Sequence, residues 1–342
     1  MKKAIQDIYE HKYKLLLLIP FIILVLALLQ IGIQTAVTGD FVNKGITLKG
    51  GSTITINQID IVNVEELGLF LQNKFSKADI NVRTISSAGK VVSIAIDSDA
   101  QENSEINALT KAIADKYQLN KWDYSIEVMG SALGESFFKQ TFKALYAAFF
   151  LMGFLVFLYF GESMYFKFIS GFLTLILVVL ILFANSLFSD IIAYILGPIL
   201  IIIYLFNSIP SLAVILAALS DIIVTLSIFN LTGIKLSTAG IAAFLMLIGY
   251  SVDTDILLST RLLKRKEGTV MERVYGAMKT GLTMSTTTLV AIGVALIFVE
   301  SEVVKQIMII LFIGLLVDLV MTWLQNTGIL RLYLERKGKK SK

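Results

Sequence analysis

The stretch LLLLIPFIILVLALLQIGI, residues 15–33, carries no charged side chain from Leu15 to Ile33. About 20 apolar residues in an α-helix cross the hydrocarbon core of a bilayer. The stretch is too long for the apolar part of a cleavable leader, and no Ala-x-Ala-like site follows it. It therefore reads as a retained first span. Working outward, apolar blocks of the same kind predict further spans at 142–160, 167–186, 190–207, 211–230, 236–259, 279–299 and 305–327, which makes eight. The bulk numbers agree. The chain has 342 residues, 56% hydrophobic and 16% charged, with a mean hydropathy of +0.77; a soluble domain carries about 25% charge. The fold class is a polytopic α-helical membrane protein, surrounded by lipid.

The segment 34–141, between the first two spans, differs in kind. Its apolar residues come in short alternating runs. Ile46-Thr47-Leu48 and then Thr53-Ile54-Thr55-Ile56 read as one strand broken at Gly50-Gly51. Leu67, Phe70, Leu71 and Phe75 share a helical face within Val64–Phe75. Ile80–Ile85 and Val91–Ile96 are two strands around a Ser87-Ala88-Gly89-Lys90 turn. Ile106, Leu109, Ile113 and Tyr117 mark a second amphipathic helix, and Tyr124–Met129 a last strand. The order β-α-β-β-α-β predicts an α+β ferredoxin-like domain that folds in water.

Cysteine is absent and His11 is the sole histidine. No disulfide framework, zinc or haem site is expected, nor a Ser/His/Asp triad. No nucleophile–base pair suggests an enzyme, and no cofactor is implied. The net charge of +4 comes from lysines and arginines beside spans, a topology signal rather than a nucleic-acid surface. The tail 1–14, the loop Arg261-Leu262-Leu263-Lys264-Arg265-Lys266 and the tail 331–342 are basic and fall on one side of an even-span chain. That side is expected to be cytoplasmic, with the 34–141 domain outside the plasma membrane. Lys139 and Lys143 break the pattern, but they adjoin a folded domain, where the rule is weaker.

Four aspartates are placed within spans: Asp221 near the middle of one, Asp318 within another, and Asp253 and Asp255 toward the inner end of a third. A mid-helix Asp costs about 2.5–3.5 kcal/mol on insertion scales, so such groups face the bundle or a water path. One reading is a proton or ion relay. The other is an Asp hydrogen-bonded to hydroxyls of a neighbouring helix, such as Thr283, Ser285, Thr286, Thr287 or Thr288. Arg261 either pairs with an Asp or simply begins the basic loop. Gly240, Gly249, Gly281, Gly293 and Gly314 suit close helix approach. Trp323 and Tyr333 read as interfacial anchors.

The block Ile248-Gly249-Tyr250-Ser251-Val252-Asp253-Thr254-Asp255-Ile256-Leu257-Leu258-Ser259-Thr260-Arg261 resembles the signature of the archaeal SecF family of protein-export membrane proteins. Other blocks agree in order: Pro210–Val214 leading to Ser220-Asp221-Ile222, Ala277–Thr283, Gly314–Asp318, and Thr322–Leu330. So do Lys49-Gly50-Gly51, opening the outer domain, and Gly130–Gly134 before the second span. There are two departures. Family members usually have six spans, so 161–208 reads as an extra transmembrane hairpin after 142–160, with 209–330 completing the core. Thr47 stands where the Gly-Gly motif usually carries an acid.

The resemblance implies a member of the SecD/SecF family within the resistance-nodulation-division superfamily. It implies no enzymatic activity. It implies SecD, a SecYE-type translocon, an exported unfolded polypeptide and the lipid bilayer as partners, and no nucleic acid. It implies that proton flow drives the outer domain, with Asp221 and Arg261 as an ionisable pair joined by Asp253, Asp255 and Asp318. A small-molecule or lipid exporter of the superfamily is the alternative, although such exporters carry two outer domains and a duplicated core. A purely structural subunit of a SecD complex is the other.

Overall fold

The structure, a computed structural model, describes residues 9–56, 63–76, 78–87, 90–183, 187–265, 267–299 and 301–340. After a helical turn at Tyr13–Leu16, α1 spans Leu18–Thr38. A one-turn helix, Ile46–Lys49, precedes β1 (Gly51–Ile56), α2 (Val64–Lys74), β2 (Ile80–Ser87), β3 (Lys90–Ser98), α3 (Asn103–Tyr117) and β4 (Tyr124–Met129). Then follow α4 (Ser131–Phe160), α5 (Met164–Phe183), α6 (Leu187–Asn207), α7 (Ile209–Leu231), α8 (Thr238–Leu263), α9 (Val270–Phe298) and α10 (Glu302–Val320). A π-helical turn, Met321–Asn326, joins α10 to α11 (Thr327–Lys340) without a break.

Among the described residues, 7 helices are long and apolar enough to cross a membrane. The remaining expected span, 190–207, is helical as α6, with a shorter apolar part, Ile191–Asn207. The segment 161–208, expected as a hairpin, holds α5 and α6, packed on α4, where Gly171 admits the Phe154 ring and Gly197 the Phe150 ring. Several helices overrun their expected spans. α4 begins at Ser131 rather than 142, and α9 at Val270, where Thr269 and Glu272 form a capping box. In α7 and α8, 61% and 56% of the most apolar stretch is buried, against 11% for the first span. α7 and α8 are therefore the centre of the bundle, and α1 lies at its rim.

The four strands form one antiparallel sheet in the order β2-β3-β1-β4. Ile54 pairs with Ile96 on one side and Ile126 on the other. With a side-chain period of two, Ile54, Ile56, Ile94 and Ile96 face Leu67 and Leu71 of α2 and Leu109 and Ile113 of α3. This is the ferredoxin-like order that the sequence predicts. Asn63 caps α2 by accepting from the Glu65 and Glu66 N–H groups. On the open face, Thr53 Oγ1 donates to Asp97 Oδ1 (2.9 Å) and Arg83 Nε to Asp97 Oδ2 (2.9 Å). Ala88 and Gly89 of the expected β2–β3 turn lie outside the described residues.

One expected strand is a helix. Ile46–Lys49 forms a helical turn, and β1 starts only at Gly51. A tertiary clamp overrides the alternation. Gly45 N–H donates to the Leu236 carbonyl (2.8 Å) and Leu236 N–H to the Asn43 carbonyl (2.6 Å), pinning the segment to the α7–α8 loop. Leu48 is then buried beside Val42, Phe229 and Leu236. The chain turns into β1 through Gly50 (φ 85°) and Gly51 (φ 146°), conformations that favour glycine. A Cβ on Gly50 would stand 2.5 Å from Ser131 Cα, and one on Gly134 would stand 2.7 Å from Gly50 N. The junction between sheet and bundle is therefore a backbone-to-backbone contact. Gly50→Ala is expected to cost about 2 kcal/mol or more, from left-handed strain and overpacking. Gly130→Ala, with open space around it, should be neutral; thermal unfolding in detergent compares them.

Candidate functional site

Asp221 of α7, Asp255 of α8 and Asp318 of α10 are all completely buried. Asp221 and Asp255 sit on the two central helices, and α10 packs against both. Charge in such a place requires partners. Ser251 Oγ, one turn before Asp255, donates to Asp221 Oδ2 and stands beside Asp318 as well. Thr322 Oγ1 lies 2.9 Å from Asp318 Oδ1 and 3.0 Å from Asp255 Oδ1. Asn326 Nδ2 donates to the same Asp255 oxygen (2.7 Å). The polar groups run as a chain: Asp221, Ser251, Asp318, Thr322, Asp255, Asn326.

Two of these donors come from the π-helical turn. Thr322, Gln325 and Asn326 all lie in it, and all three are buried. A π turn adds a residue to one turn of helix and so shifts which side chains share a face. Thr322 and Asn326 meet Asp255, while Gln325 Nε2 donates to Ser220 Oγ on α7 (3.1 Å). The Trp323 ring fills the space over Gly281, where a Cβ would lie 2.5 Å from it. Among the described residues, one carboxyl oxygen of each aspartate has no hydrogen-bond partner: Asp221 Oδ1, Asp255 Oδ2 and Asp318 Oδ2. Among the described residues, no group of acids or His suits a metal ion, and these partners are hydroxyls and amides.

Not every sequence candidate joins this chain. Asp255, placed by sequence toward the inner end of its span, is at the centre of the cluster. Asp253 is exposed, because two residues along a helix turn a side chain away from its neighbour's face. Arg261 donates to the Gly276 carbonyl and to Thr280 Oγ1 (2.9 Å), clasping α8 to α9. No ion pair joins it to an aspartate among the described residues, so the expected Asp221–Arg261 pair is not formed. The threonines of the seventh expected span are not the partners either. Thr283 donates to the Lys279 carbonyl, and Thr287 and Thr288 to that of Met284, all within α9. Trp323 is buried, not an interfacial anchor. Of the five glycines, Gly240, Gly281 and Gly314 stand hard against neighbouring side chains, while Gly249 faces open space. Lys49 is exposed, while Gly50 and Gly51 are buried in the sheet junction.

Comparison with known proteins places these residues. A model of the family "Protein export membrane protein SecD/SecF, C-terminal" matches residues 180–336, which include all three buried aspartates. The protein-export membrane protein SecF of Pyrococcus furiosus is 33% identical over 99% of this chain and 97% of its own length. This chain belongs to the SecF family. The SecF of Methanothermobacter thermautotrophicus is 36% identical over 94% of this chain and 93% of its own. The match to the Pyrococcus SecF spans the α5–α6 hairpin, so that hairpin lies within the shared length. Two crystal structures share the fold: SecDF of Thermus thermophilus, a translocon-associated membrane protein (TM-score 0.57, 19% identity, 95% of this chain), and SecDF in a super-membrane-facing form (TM-score 0.51, 17% identity, 94% of this chain). This SecF-family chain spans 38% of the length of each of those SecDF chains.

Sequence reading found the aspartates but missed Ser251, Thr322, Gln325 and Asn326. A signal was present: Thr322, Gln325 and Asn326 are polar residues three and four apart in an apolar span, and such residues face the bundle. Thr322→Val keeps the shape and removes the shared hydroxyl. It is expected to destabilise the protein by about 1–3 kcal/mol. Thr287→Val, whose hydroxyl serves only its own helix, should stay within about 0.5 kcal/mol. Unfolding in detergent measures both.

Proposed function

We propose that this chain works in protein export beside a SecD-type partner, and that proton movement through the Asp221–Asp318–Asp255 cluster drives motion of its sheet domain. The observation that carries the reading is the position of Thr322. Its hydroxyl has one hydrogen and stands within bonding distance of two carboxyl groups. It can donate to only one of them, so the other contact is a hydrogen bond only when that carboxyl carries a proton. The site is thus built to hold a proton between two helices and to hand it from one carboxyl to the next. A structural Asp would need one hydroxyl of its own and no second acid.

The basic segments support an orientation. Arg331 Nη1 and Nη2 donate to the Tyr9 and Glu10 carbonyls. Lys337 reaches Glu162 (3.2 Å), and the Lys264 ammonium lies over the Tyr159 ring. The N-terminal segment, the α4–α5 turn, the α8–α9 loop and α11 therefore gather at one end of the bundle. By the excess of Lys and Arg, that end is cytoplasmic, and the sheet, joined at the opposite end, is outside. Lys235 of the α7–α8 loop pairs with Asp79 of the sheet domain (2.5 Å), and Gln306 holds that loop by donating to the Lys235 carbonyl (2.6 Å). Movement of α7 and α8 around a changed proton count reaches the sheet through this loop and the Asn43–Gly51 segment.

The test uses membrane vesicles that carry the SecD partner and the translocon. Asp255→Asn and Asp318→Asn are expected to insert normally and to lose the part of export that an imposed proton gradient stimulates. Full gradient-stimulated export by both variants would instead assign the cluster a structural role. Asp253→Asn, on the exposed face, should export as the unmodified chain does.

A further inference from the structure

A segment that the relay does not use, Tyr9–Tyr13, is bonded to the π turn beside the aspartate site. Tyr9 Oη donates to the Trp323 carbonyl (2.8 Å), within the π turn that presents Thr322 and Asn326. Arg331 is only 8% exposed and spends two donors on the Tyr9 and Glu10 carbonyls (2.8 and 2.7 Å). Its guanidinium also lies 3.9 Å from the centre of the Tyr13 ring, and Tyr13 is itself buried. Glu10 accepts from the Tyr275 hydroxyl of α9 (2.9 Å). Between these groups lies a cavity of about 10 Å³ bordered by Tyr9, Tyr13, Trp323, Thr327 and Arg331, the size of one water. Among the described residues, the buried Trp323 indole N–H has no hydrogen-bond partner, and the Thr327 hydroxyl donates to the Thr322 carbonyl (3.1 Å).

From this we infer that Tyr9–Tyr13 is the inner gate of the aspartate site, latched shut by Arg331 and by the Tyr9 hydroxyl. The inference rests on the proton reading above. The latch has the properties a gate requires. It closes on the turn whose Thr322 and Asn326 bond the aspartates, and the cavity beneath it has room for one water. Arg331 grips backbone carbonyls, so release moves the segment as a whole. A fixed positive charge at the mouth opposes a proton until that release. The segment continues directly into α1, whose far end leads through Phe41 and Asn43 to the staple on Leu236. Asn230 of α7 also holds that end, by donating to the Phe41 carbonyl (2.9 Å). Inner latch and outer junction are therefore two ends of one rod. Motion of the sheet domain pulls on the gate, so opening toward the cytoplasm alternates with the outer movement.

A reversible lock tests this in the intact complex. The chain has no cysteine of its own. A Cβ built on Gly328 of α11 lies 3.4 Å from Leu17 Cβ, close to the 3.5–4.5 Å of a disulfide. The double variant Leu17→Cys/Gly328→Cys also removes the Leu17 branch that would otherwise crowd position 328. Under oxidation, gradient-stimulated export should fall at least tenfold, and a reductant should restore it. In the second arm, Arg331→Ala is expected to raise passive proton leak into pH-jumped vesicles at least threefold, and Asp255→Asn added to it should abolish the rise. A merely structural clasp would not produce a leak that depends on Asp255. Unchanged export by the oxidised pair, or an unchanged leak in Arg331→Ala, overturns the gate. If Asp255→Asn alone leaves gradient-stimulated export intact, the proton reading itself fails, and that outcome is separate from either result.

Discussion

Three carboxyl groups are buried together in the apolar centre of a helical bundle, and much of the architecture answers that constraint. Moving unpaired carboxylates out of water costs far more than a fold can supply, so each needs hydrogen-bond donors or a proton. The chain provides few donors, and each comes from a neighbouring element: Ser251 for Asp221, Asn326 for Asp255, and Thr322 between Asp255 and Asp318. Thr322, Gln325 and Asn326, three and four apart, turn one polar face into the bundle, and the π turn at Met321–Asn326 is where that face meets the acids. The glycine at 281 belongs to the same solution, because the buried Trp323 ring, packed against α9, needs its space.

This arrangement links the centre of the membrane to both of its surfaces. α7 and α8 carry two of the acids and end in the loop that grips Asn43–Gly45 and Asp79. The sheet rests on that loop and on the N-terminal turn of α4 through Gly50 and Gly134, with backbone against backbone. Such contacts transmit displacement better than side-chain contacts, because no rotamer can absorb it. At the other surface, α11 continues from the π turn and carries Arg331 to the N-terminal segment. The hairpin α5–α6 stands apart from this path. It packs on α4 and α7 and leaves Phe168, Phe172, Ile195 and Phe206 exposed on its outer side.

Much of this was legible in the sequence, for identifiable reasons. Span positions follow from apolar runs, since nothing else tolerates lipid. The sheet domain follows from period-two runs alternating with amphipathic helices, and its strand order matched. What escaped was set by tertiary contacts. The alternation of Ile46-Thr47-Leu48 gave way to a clamp from Leu236, nearly 200 positions away in the chain. Asp253 and Asp255 are alike in composition, and only the helix phase separates an exposed acid from a buried one. Spacing leaves Arg261 open between an Asp partner and the basic loop, and the resemblance pairs it with Asp221, whereas the structure uses its planar fork to clasp α8 to α9. The π turn left no periodic signal, because it is itself a break in periodicity.

The proposed function requires that the cluster hold an exchangeable proton on its carboxyl groups. Isotope-edited infrared spectroscopy of the reconstituted protein, with ¹³C-labelled aspartate, reads this directly. Near neutral pH it should show a protonated carboxyl band that shifts in deuterated water, changes in Thr322→Val and is lost in Asp255→Asn. A spectrum showing only ionised aspartate carboxylates under those conditions would mean that the cluster holds no such proton.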